Sequence, residues 1–269
     1  DTETLLAAFE SWGVEATLKN CVGMFAIALW DREARVLTLA RDRLGEKPLY
    51  YGWRGETLLF GSELKALKAH PAFGGEIDRD ALALFLRHNA VPAPYSIYRG
   101  VHKLPPGTFV QFHAGQKDAQ PVTYWSARLV AEAGQRNLFR GSDQEAADEL
   151  ERLLRRSIAG QMMADVPLGA FLSGGIDSTT VVALMQTQSV RPVKTFTIGF
   201  YEAGYNEAEH AHAVARQLGS EHTELYATAQ DAMDVIPSLV AIYDEPFADS
   251  SQIPTCLVSR LARSQVTVS

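Results

Sequence analysis

The sequence predicts a mixed α/β protein of two domains: an α+β domain with antiparallel strands, then a doubly wound parallel α/β domain. Three observations predict this organisation. The 269 residues are enough for two domains of ordinary size. Residues 1–125 contain short β-prone runs separated by turn residues, whereas residues 142–269 alternate strand-like and helix-like segments. Residues 126–141 are polar without apolar periodicity, which is typical of a linker.

Composition excludes several functional classes. Lys and Arg total 25 against 32 Asp and Glu, and the net charge of −7 argues against a nonspecific nucleic-acid or membrane-surface binder. No apolar run approaches the length of a membrane span. Cys21 and Cys256 stand in apolar surroundings without metal-ligand spacing, which indicates reduced thiols in a cytoplasmic protein.

The first domain is predicted to open with a helix, since Leu5, Ala8, Phe9 and Trp12 have helical spacing before Gly13. Four strands follow as an antiparallel meander, at 22–30, 36–40, 49–53 and 58–60. A short helix at 64–68, a helix capped by Asp78 and a last strand at 108–112 complete the domain. Leu82, Phe85 and Leu86 are expected on the buried face of the capped helix.

The second domain is predicted to begin with a capping box of Ser142 and Glu145. The helix that follows should carry an apolar face of Ala147, Leu150, Leu154 and Ile158. Strands at 166–172, 193–200 and 222–225 then alternate with helices at 177–185 and 206–218. This alternation favours a parallel, doubly wound sheet.

The chemistry is expected at the loop Ser173-Gly174-Gly175-Ile176-Asp177-Ser178, which connects a strand directly to a helix. Two glycines permit a sharp turn and a close approach of the backbone to a ligand. The helix N-terminus and the serine hydroxyls offer donors to an anion at the carboxyl edge of the sheet. The Asp177 carboxylate suits a Mg²⁺ ion that bridges phosphate oxygens. The alternative is a tight turn whose Ser and Asp residues only cap the helix.

The hexapeptide resembles the pyrophosphate-binding loop of the N-type ATP pyrophosphatases, which cleave ATP between the α and β phosphates. Neither a Walker A sequence nor a Gly-x-Gly-x-x-Gly sequence after a strand is present. The resemblance implies ATP binding by seven residues: Leu172, Ser173, Gly174, Gly175, Asp177, Ser178 and Ile198. It places Leu172 and Ile198 against the adenosine, although core packing explains both equally well.

The rest of the chain is similar to the glutamine-hydrolysing asparagine synthetase family. Matching stretches lie at 23–26, 40–51, 62–67, 103–107 and 124–125 in the first half, and at 165–167, 173–178 and 244–251 in the second. The resemblance implies part of an αββα glutaminase domain of the Ntn-hydrolase type, followed by the ATP-pyrophosphatase domain. Glutamine would supply ammonia, and ATP would adenylate the aspartate side chain, giving asparagine, AMP and PPi. A homodimer is expected.

Further residues acquire roles from this resemblance. Asp1 would bind the glutamine α-amine, or it caps the first helix. Asp249, Ser250 and Ser251 would bind aspartate, as would Asp244 and Glu245, although Asp249 or Ser250 could instead cap a helix that starts near Ser251. The charged residues 41–43 and 46–47 would order the domain interface, or they form a solvated turn.

The sequence also departs from the family pattern. The family's glutaminase nucleophile is an N-terminal cysteine, and this chain begins with Asp1, so no catalytic residue is assigned. The family's second phosphate-binding loop would follow residues 266–268, where the chain ends. We therefore expect an internal fragment that does not turn over alone. The alternative hypotheses for the function are a β-lactam synthetase-like enzyme, an amidotransferase acting on another carboxylate, or a catalytically silent nucleotide-binding scaffold module.

Overall fold

The computed structural model describes residues 1–201 and 206–269 and divides into two compact units. Unit 1 comprises Asp1–Leu138 together with Tyr243–Ala248, and unit 2 comprises Phe139–Ile242 together with Asp249–Ser269. Antiparallel sheets belong to unit 1 and a parallel sheet to unit 2, which confirms the predicted mixed α/β class. The chain therefore passes between the units at three points, after residues 138, 242 and 248.

Unit 1 contains five helices and seven short strands among the described residues, grouped along the chain rather than alternating. Its helices are α1 (Thr2–Trp12), α2 (Val14–Asn20), α3 (Leu64–Lys68), α4 (Arg79–His88) and α5 (Ala127–Arg136). Its strands are β1 (Ala26–Asp31), β2 (Val36–Arg41), β3 (Tyr50–Arg54), β4 (Thr57–Gly61), β5 (His102–Lys103), β6 (Thr108–His113) and β7 (Val122–Thr123). The predicted opening helix ends at Gly13, whose φ of 76° favours glycine. Helix α5 begins after the Ser126 cap, within residues 126–141, for which the sequence predicts a linker.

The predicted antiparallel meander is wrong, because the strands separate into two sheets. One sheet has the order β1-β2-β6-β7 and the other β4-β3-β5. The second edge of β2 is occupied by β6, with Leu39 opposite Val110, so β3 pairs with β4 and β5 instead. The apolar cluster around Leu39 contains residues of both sheets, among them Val110 of β6 and Tyr51 of β3, whereas the cluster around Leu64 includes Tyr50 and Leu59 of the second sheet.

The predicted cap of α4 is confirmed, but its predicted buried face is partly wrong. Asp78 Oδ1 accepts hydrogen bonds from the N–H groups of Asp80 (2.9 Å) and Ala81 (3.2 Å). Ala81 is fully buried and Phe85 packs beside the same cluster. Leu86 is 75% exposed, and Leu82 is also exposed. Ala81 and Phe85, which lie four residues apart on one face of α4, therefore pack into the core, and Leu82 and Leu86 do not.

A buried carboxylate organises the turn between β2 and β3, so Asp42 is not solvated, whereas Glu46 and Lys47 of the same turn are exposed. Asp42 is fully buried and accepts hydrogen bonds from four backbone N–H groups, those of Phe25, Leu44, Glu46 and Lys47. Burial acts to raise the pKa of Asp42, but the backbone hydrogen bonds outweigh it and hold the pKa below its ordinary value. Arg41 donates to the carbonyls of Gly45, Lys47 and Leu104 around the same turn.

Unit 2 follows the predicted alternation. Its elements are α6 (Asp143–Gln161), β8 (Gly169–Phe171), α7 (Ile176–Gln188), β9 (Lys194–Phe200), α8 (Ala208–Leu218), β10 (Glu221–Ala227), α9 (Ala229–Ile242) and α10 (Gln252–Arg263). The capping box of Ser142 and Glu145 is confirmed. Ile158 is buried with Leu154 packed beside it, whereas Leu150 is 58% exposed.

The sheet of unit 2 is parallel, with the order β10-β9-β8. Leu168 bridges to Val268 in parallel, and Gly169 N–H donates to the Val268 carbonyl, on the edge of β8 opposite β9. The chain therefore proceeds outward from β8 to β10 and then returns to the other side of β8. This reversal makes the carboxyl end of β8 a topological switch point, where α/β sheets bind ligands.

Candidate functional site

The loop after β8 has a backbone conformation that depends on Gly174. Its φ is 77°, and an added Cβ would lie 2.7 Å from Ala211 N and 2.8 Å from His210 Cβ. Gly174 therefore seats the loop directly against α8, and no larger residue fits there without a shift of that helix. Gly175, the N-cap residue of α7, makes no side-chain cap hydrogen bond, so the N-terminus of this 13-residue helix is available to an anion.

Two serine hydroxyls hold the loop closed. Ser178 Oγ accepts from Ser173 N–H at 3.2 Å, and the two Oγ atoms lie 2.9 Å apart. Ser173 Oγ also accepts from Gly175 N–H at 3.3 Å. These contacts pre-organise the turn, so the serines stabilise the shape of the loop in addition to offering hydroxyl donors to a ligand.

Asp177 stands exposed in the first turn of α7, where its negative charge interacts favourably with the helix dipole. Within residues 1–201 and 206–269, no group of three or more His, Cys, Asp or Glu side chains could hold a metal ion. A divalent cation at Asp177 would therefore take most of its oxygen ligands from a phosphate and water, a mode of binding that suits Mg²⁺.

A cavity of about 170 Å³ adjoins the loop. Its lining comes from β8 and the loop, from β9, from the N-cap residue of α8 and from α10: Phe171, Leu172, Ser173, Phe196, Thr197, Ile198, Glu207, Pro254, Thr255 and Val258. The structure thus brings together Leu172, Ser173 and Ile198, which the sequence analysis had grouped. Leu172 is almost completely buried and belongs to the core cluster as well, and its contact with adenosine stays a prediction.

The α10 side of this cavity was missed from the sequence. Pro254, Thr255 and Val258 carry no recognisable motif, and their position depends on how α10 packs against β9. Val258 lies beside the buried cluster of Phe196 and Ala262. The only available signal was the apolar spacing of Leu257 and Leu261, which predicts a packed helix but no ligand.

The residues predicted for substrate binding lie immediately before α10. Asp249 Oδ1 accepts from Ser251 N–H at 2.8 Å, and this hydrogen bond lowers the pKa of Asp249. Asp249, Ser250 and Ser251 are absent from the lining of the cavity, so their role in substrate binding stays a prediction. Asp1 Oδ1 accepts from Thr2 N–H at 2.7 Å and caps α1, so its glutamine-binding role likewise stays a prediction.

Asp244 and Glu245 do not line this cavity either. Their carboxylates accept backbone hydrogen bonds within unit 1, from Leu64 and Ile97 respectively. The expectation that they contact aspartate therefore gives way to a structural role in unit 1.

The fold and site define an α/β unit, with a glycine-containing loop at the switch point of its parallel sheet, joined to an α+β unit of two antiparallel sheets. Comparison with known families gives each unit a counterpart. Residues 1–125 match the family described as glutamine amidotransferase domain, and residues 149–269 match the family described as asparagine synthase. The chain belongs to the glutamine-hydrolysing asparagine synthetase family, which contains both domains in this order.

Individual relatives support the same assignment. A Mycobacterium tuberculosis (strain H37Rv) protein named "Putative asparagine synthetase" is 37% identical, over 100% of this chain and 41% of the relative. A Methanocaldococcus jannaschii protein of the same description is 34% identical, over 100% of this chain and 51% of the relative. Asparagine synthetase 1 of Bacillus subtilis strain 168 is 33% identical, over 100% of this chain and 41% of the relative. The chain thus spans about half of these relatives or less.

A solved structure titled as the allosteric regulatory enzyme of purine biosynthesis matches with a TM-score of 0.32 and 12% identity, over 85% of this chain and 53% of that one. Such a low score supports no structural conclusion. In the described part of the chain, no helix is both long and apolar enough to cross a membrane.

Proposed function

We propose that this chain contributes to a glutamine-dependent asparagine synthetase, in which unit 2 binds ATP and unit 1 forms part of the glutaminase domain. The observation that carries the proposal is the loop Ser173–Ser178 at the switch point of the unit 2 sheet, which Gly174 seats against α8. The family names of the two matched regions supply the class of reaction. We place the enzyme in the cytoplasm as a homodimer acting on small molecules.

The chemistry follows from the need for a good leaving group. A side-chain carboxylate oxygen of aspartate attacks the α phosphorus of ATP, the α–β bond breaks, and PPi departs. Ammonia from glutamine then attacks the acyl carbon, and AMP leaves with the carboxylate oxygen. Ammonia reacts only while unprotonated, so its route must exclude water.

The residues of unit 2 have distinct roles in this scheme. The uncapped N-terminus of α7 and the backbone of Gly174 and Gly175 receive the negative charge of the departing PPi. Asp177 would hold Mg²⁺, which neutralises charge on the phosphate oxygens when it is bound. The cavity formed by Leu172, Ile198 and α10 accommodates the apolar face of the nucleotide.

The reaction is tested by aspartate-dependent exchange of labelled PPi into ATP, measured on a full-length protein that contains this chain. Exchange with aspartate supports the proposal. Exchange that requires a different carboxylate identifies another amidotransferase or a β-lactam synthetase-like enzyme. ATP binding without exchange for any carboxylic acid identifies a nucleotide-binding scaffold.

Replacing Asp177 with Asn is expected to lower the rate of PPi exchange about 100-fold or more, because the metal-assisted stabilisation of phosphate charge contributes several kcal/mol. Asp143→Asn is the matched control, since Asp143 also lies in the first turn of a unit 2 helix. Both variants lose the same helix-dipole interaction, so their melting temperatures should fall equally. Wild-type exchange by Asp177→Asn would refute the role of Asp177.

A further inference from the structure

The segment Tyr243–Ala248 belongs to unit 1, although the chain on both sides of it belongs to unit 2. Its backbone is bound within unit 1: Phe247 forms an antiparallel bridge with Ala90, and Ala248 N–H donates to the Asn89 carbonyl at 2.8 Å. A stretch of six residues therefore completes a unit whose main part ends at Leu138, more than a hundred residues earlier in the sequence.

Asp244 caps a helix that has no cap of its own. The N-cap residue of α3, Glu63, makes no side-chain cap hydrogen bond. Asp244 Oδ2 instead accepts from Leu64 N–H at 2.6 Å, and its Oδ1 accepts from Lys65 N–H at 3.3 Å. The Asp244 side chain is only 13% exposed. A carboxylate from a distant part of the sequence thus satisfies the first donors of α3.

Glu245 neutralises a largely buried lysine. Its carboxylate forms an ion pair with the Lys103 ammonium, and the two side chains are 11% and 15% exposed. Glu245 also accepts from Ile97 N–H at 3.1 Å and from the Tyr50 hydroxyl at 3.4 Å. Burial and the charges of Glu245 and Asp244 raise the pKa of Tyr50, which therefore stays a neutral donor. Removing Glu245 would leave the Lys103 charge buried without its partner.

The same segment leads directly into the wall of the candidate nucleotide cavity. Asp249, the next residue, already belongs to unit 2, and α10 begins at Gln252. Pro254, Thr255 and Val258 of α10 line the cavity. Five residues, 249–253, thus separate a segment bound in unit 1 from the first of these cavity residues, so the covalent path between them is short.

We propose that Tyr243–Ala248 is a coupling segment, and that Asp244 and Glu245 are positioning residues that link glutamine hydrolysis in unit 1 to acyl-adenylate formation in unit 2. This inference rests on the proposed function. Occupation of the cavity acts on α10, and the segment conveys that state to α3 and Lys103 in unit 1. Neither carboxylate contacts a substrate in this scheme.

The test uses the full-length enzyme and the number of glutamates released per asparagine formed. Asp244→Ala removes the cap of α3, whereas Asp244→Asn keeps one acceptor oxygen for the Leu64 N–H group, which forms the shorter of the two bonds. Glu245→Gln removes the charge that neutralises Lys103. Glu76→Gln is the matched control. Glu76 also forms an ion pair, with Arg99, but the Glu76 side chain is 65% exposed and the Arg99 side chain is 63% exposed.

We expect Asp244→Ala and Glu245→Gln to raise the glutamate-to-asparagine ratio at least threefold. Ammonia-dependent synthesis, PPi exchange and basal glutaminase activity should stay within twofold of wild type. Asp244→Asn and Glu76→Gln should both keep the wild-type glutamate-to-asparagine ratio. If Glu245→Gln does not fold, the comparison of Asp244→Ala with Asp244→Asn still tests the coupling proposal.

A purely structural role predicts that all activities fall together with the melting temperature while the ratio stays constant, and that result would overturn the coupling proposal. If the proposed function itself is wrong, the unaltered enzyme will show no aspartate-dependent PPi exchange. In that case both proposals are wrong. If the unaltered enzyme shows PPi exchange but the variants keep the wild-type glutamate-to-asparagine ratio, only the coupling proposal is wrong.

Discussion

Replacing Gly174 with alanine is expected to abolish detectable ATP binding and to destabilise unit 2 by about 2 to 5 kcal/mol. The left-handed backbone at φ 77° costs a side-chain-bearing residue about 1 to 2 kcal/mol. The added Cβ would lie 2.7 Å from Ala211 N, so overpacking against α8 adds about 1 to 3 kcal/mol. Urea denaturation and calorimetric titration with ATP measure the two effects.

Two alanine variants serve as controls for Gly174→Ala. Gly160 lies in α6 with no atom within 4 Å of an added Cβ, so Gly160→Ala should be neutral or stabilise by up to about 1 kcal/mol. An added Cβ at Gly175 would meet only the movable Ser173 Oγ, at 3.3 Å. Gly175→Ala should therefore fold normally, and any loss of ATP affinity in this variant would come from the added methyl group obstructing the phosphate. Wild-type stability and ATP affinity in Gly174→Ala would contradict the assignment of the loop.

Replacing Asp42 with alanine is expected to destabilise unit 1 by about 3 to 5 kcal/mol, because each buried N–H group left without an acceptor costs about 1 to 3 kcal/mol. Four backbone N–H groups depend on this fully buried carboxylate, and water can replace it at the more accessible of them, so the loss stays below the sum of four such penalties. Asp42→Asn retains one acceptor oxygen and should have an intermediate stability. Chemical denaturation followed by tryptophan fluorescence measures the series.

Asp31 offers the matched control for Asp42. It also accepts two backbone N–H bonds in a hairpin turn, from Glu33 and Ala34 at 2.9 Å each, but it is exposed. Water can replace those bonds, so Asp31→Ala should cost about 1 kcal/mol or less. Equal losses for Asp31→Ala and Asp42→Ala would show that the Asp42 turn is not the organising feature of unit 1.

The Asp42 carboxyl also predicts a pH dependence with a definite sign. Its pKa is lower in the folded chain than its ordinary value of 3.8. The stabilisation is therefore complete above pH 3.8 and is lost as the pH falls toward the folded pKa. Asp42→Asn cannot titrate there, so the stability difference between wild type and this variant should shrink below pH 3.8. A difference that is constant with pH would contradict the lowered pKa.

Local signals in the sequence were sufficient for the elements whose ends are stabilised by nearby residues. Asp1, Asp78 and Ser142 cap their helices through N–H groups one to three residues away, and each cap can be read from the sequence. The loop Ser173–Ser178 was equally recognisable, because a strand, two glycines and a helix start are contiguous. The alternation of strands and helices likewise predicts the parallel sheet of unit 2.

Pairings between distant residues were not predictable in this way. The division of the first strands into two sheets depends on β6 occupying the edge of β2, and the exposed position of Leu86 depends on which stripe of α4 faces the core. Periodicity shows that a face is apolar, but packing geometry selects the residues that are buried. The role of α10 in the cavity has the same origin, since none of its residues forms a motif.

The amino-acid sequence by itself determined the family, the order of the two domains and the position of the loop Ser173–Ser178 between a strand and a helix, because each of these resides in contiguous residues. Only the tertiary structure decided that Tyr243–Ala248 completes unit 1 and that Asp244 caps α3. The physical reason is that a backbone donor or a buried ammonium is satisfied by whichever carboxylate the fold brings within hydrogen-bonding distance. For Leu64 and Lys103, those carboxylates lie well over a hundred residues away along the chain.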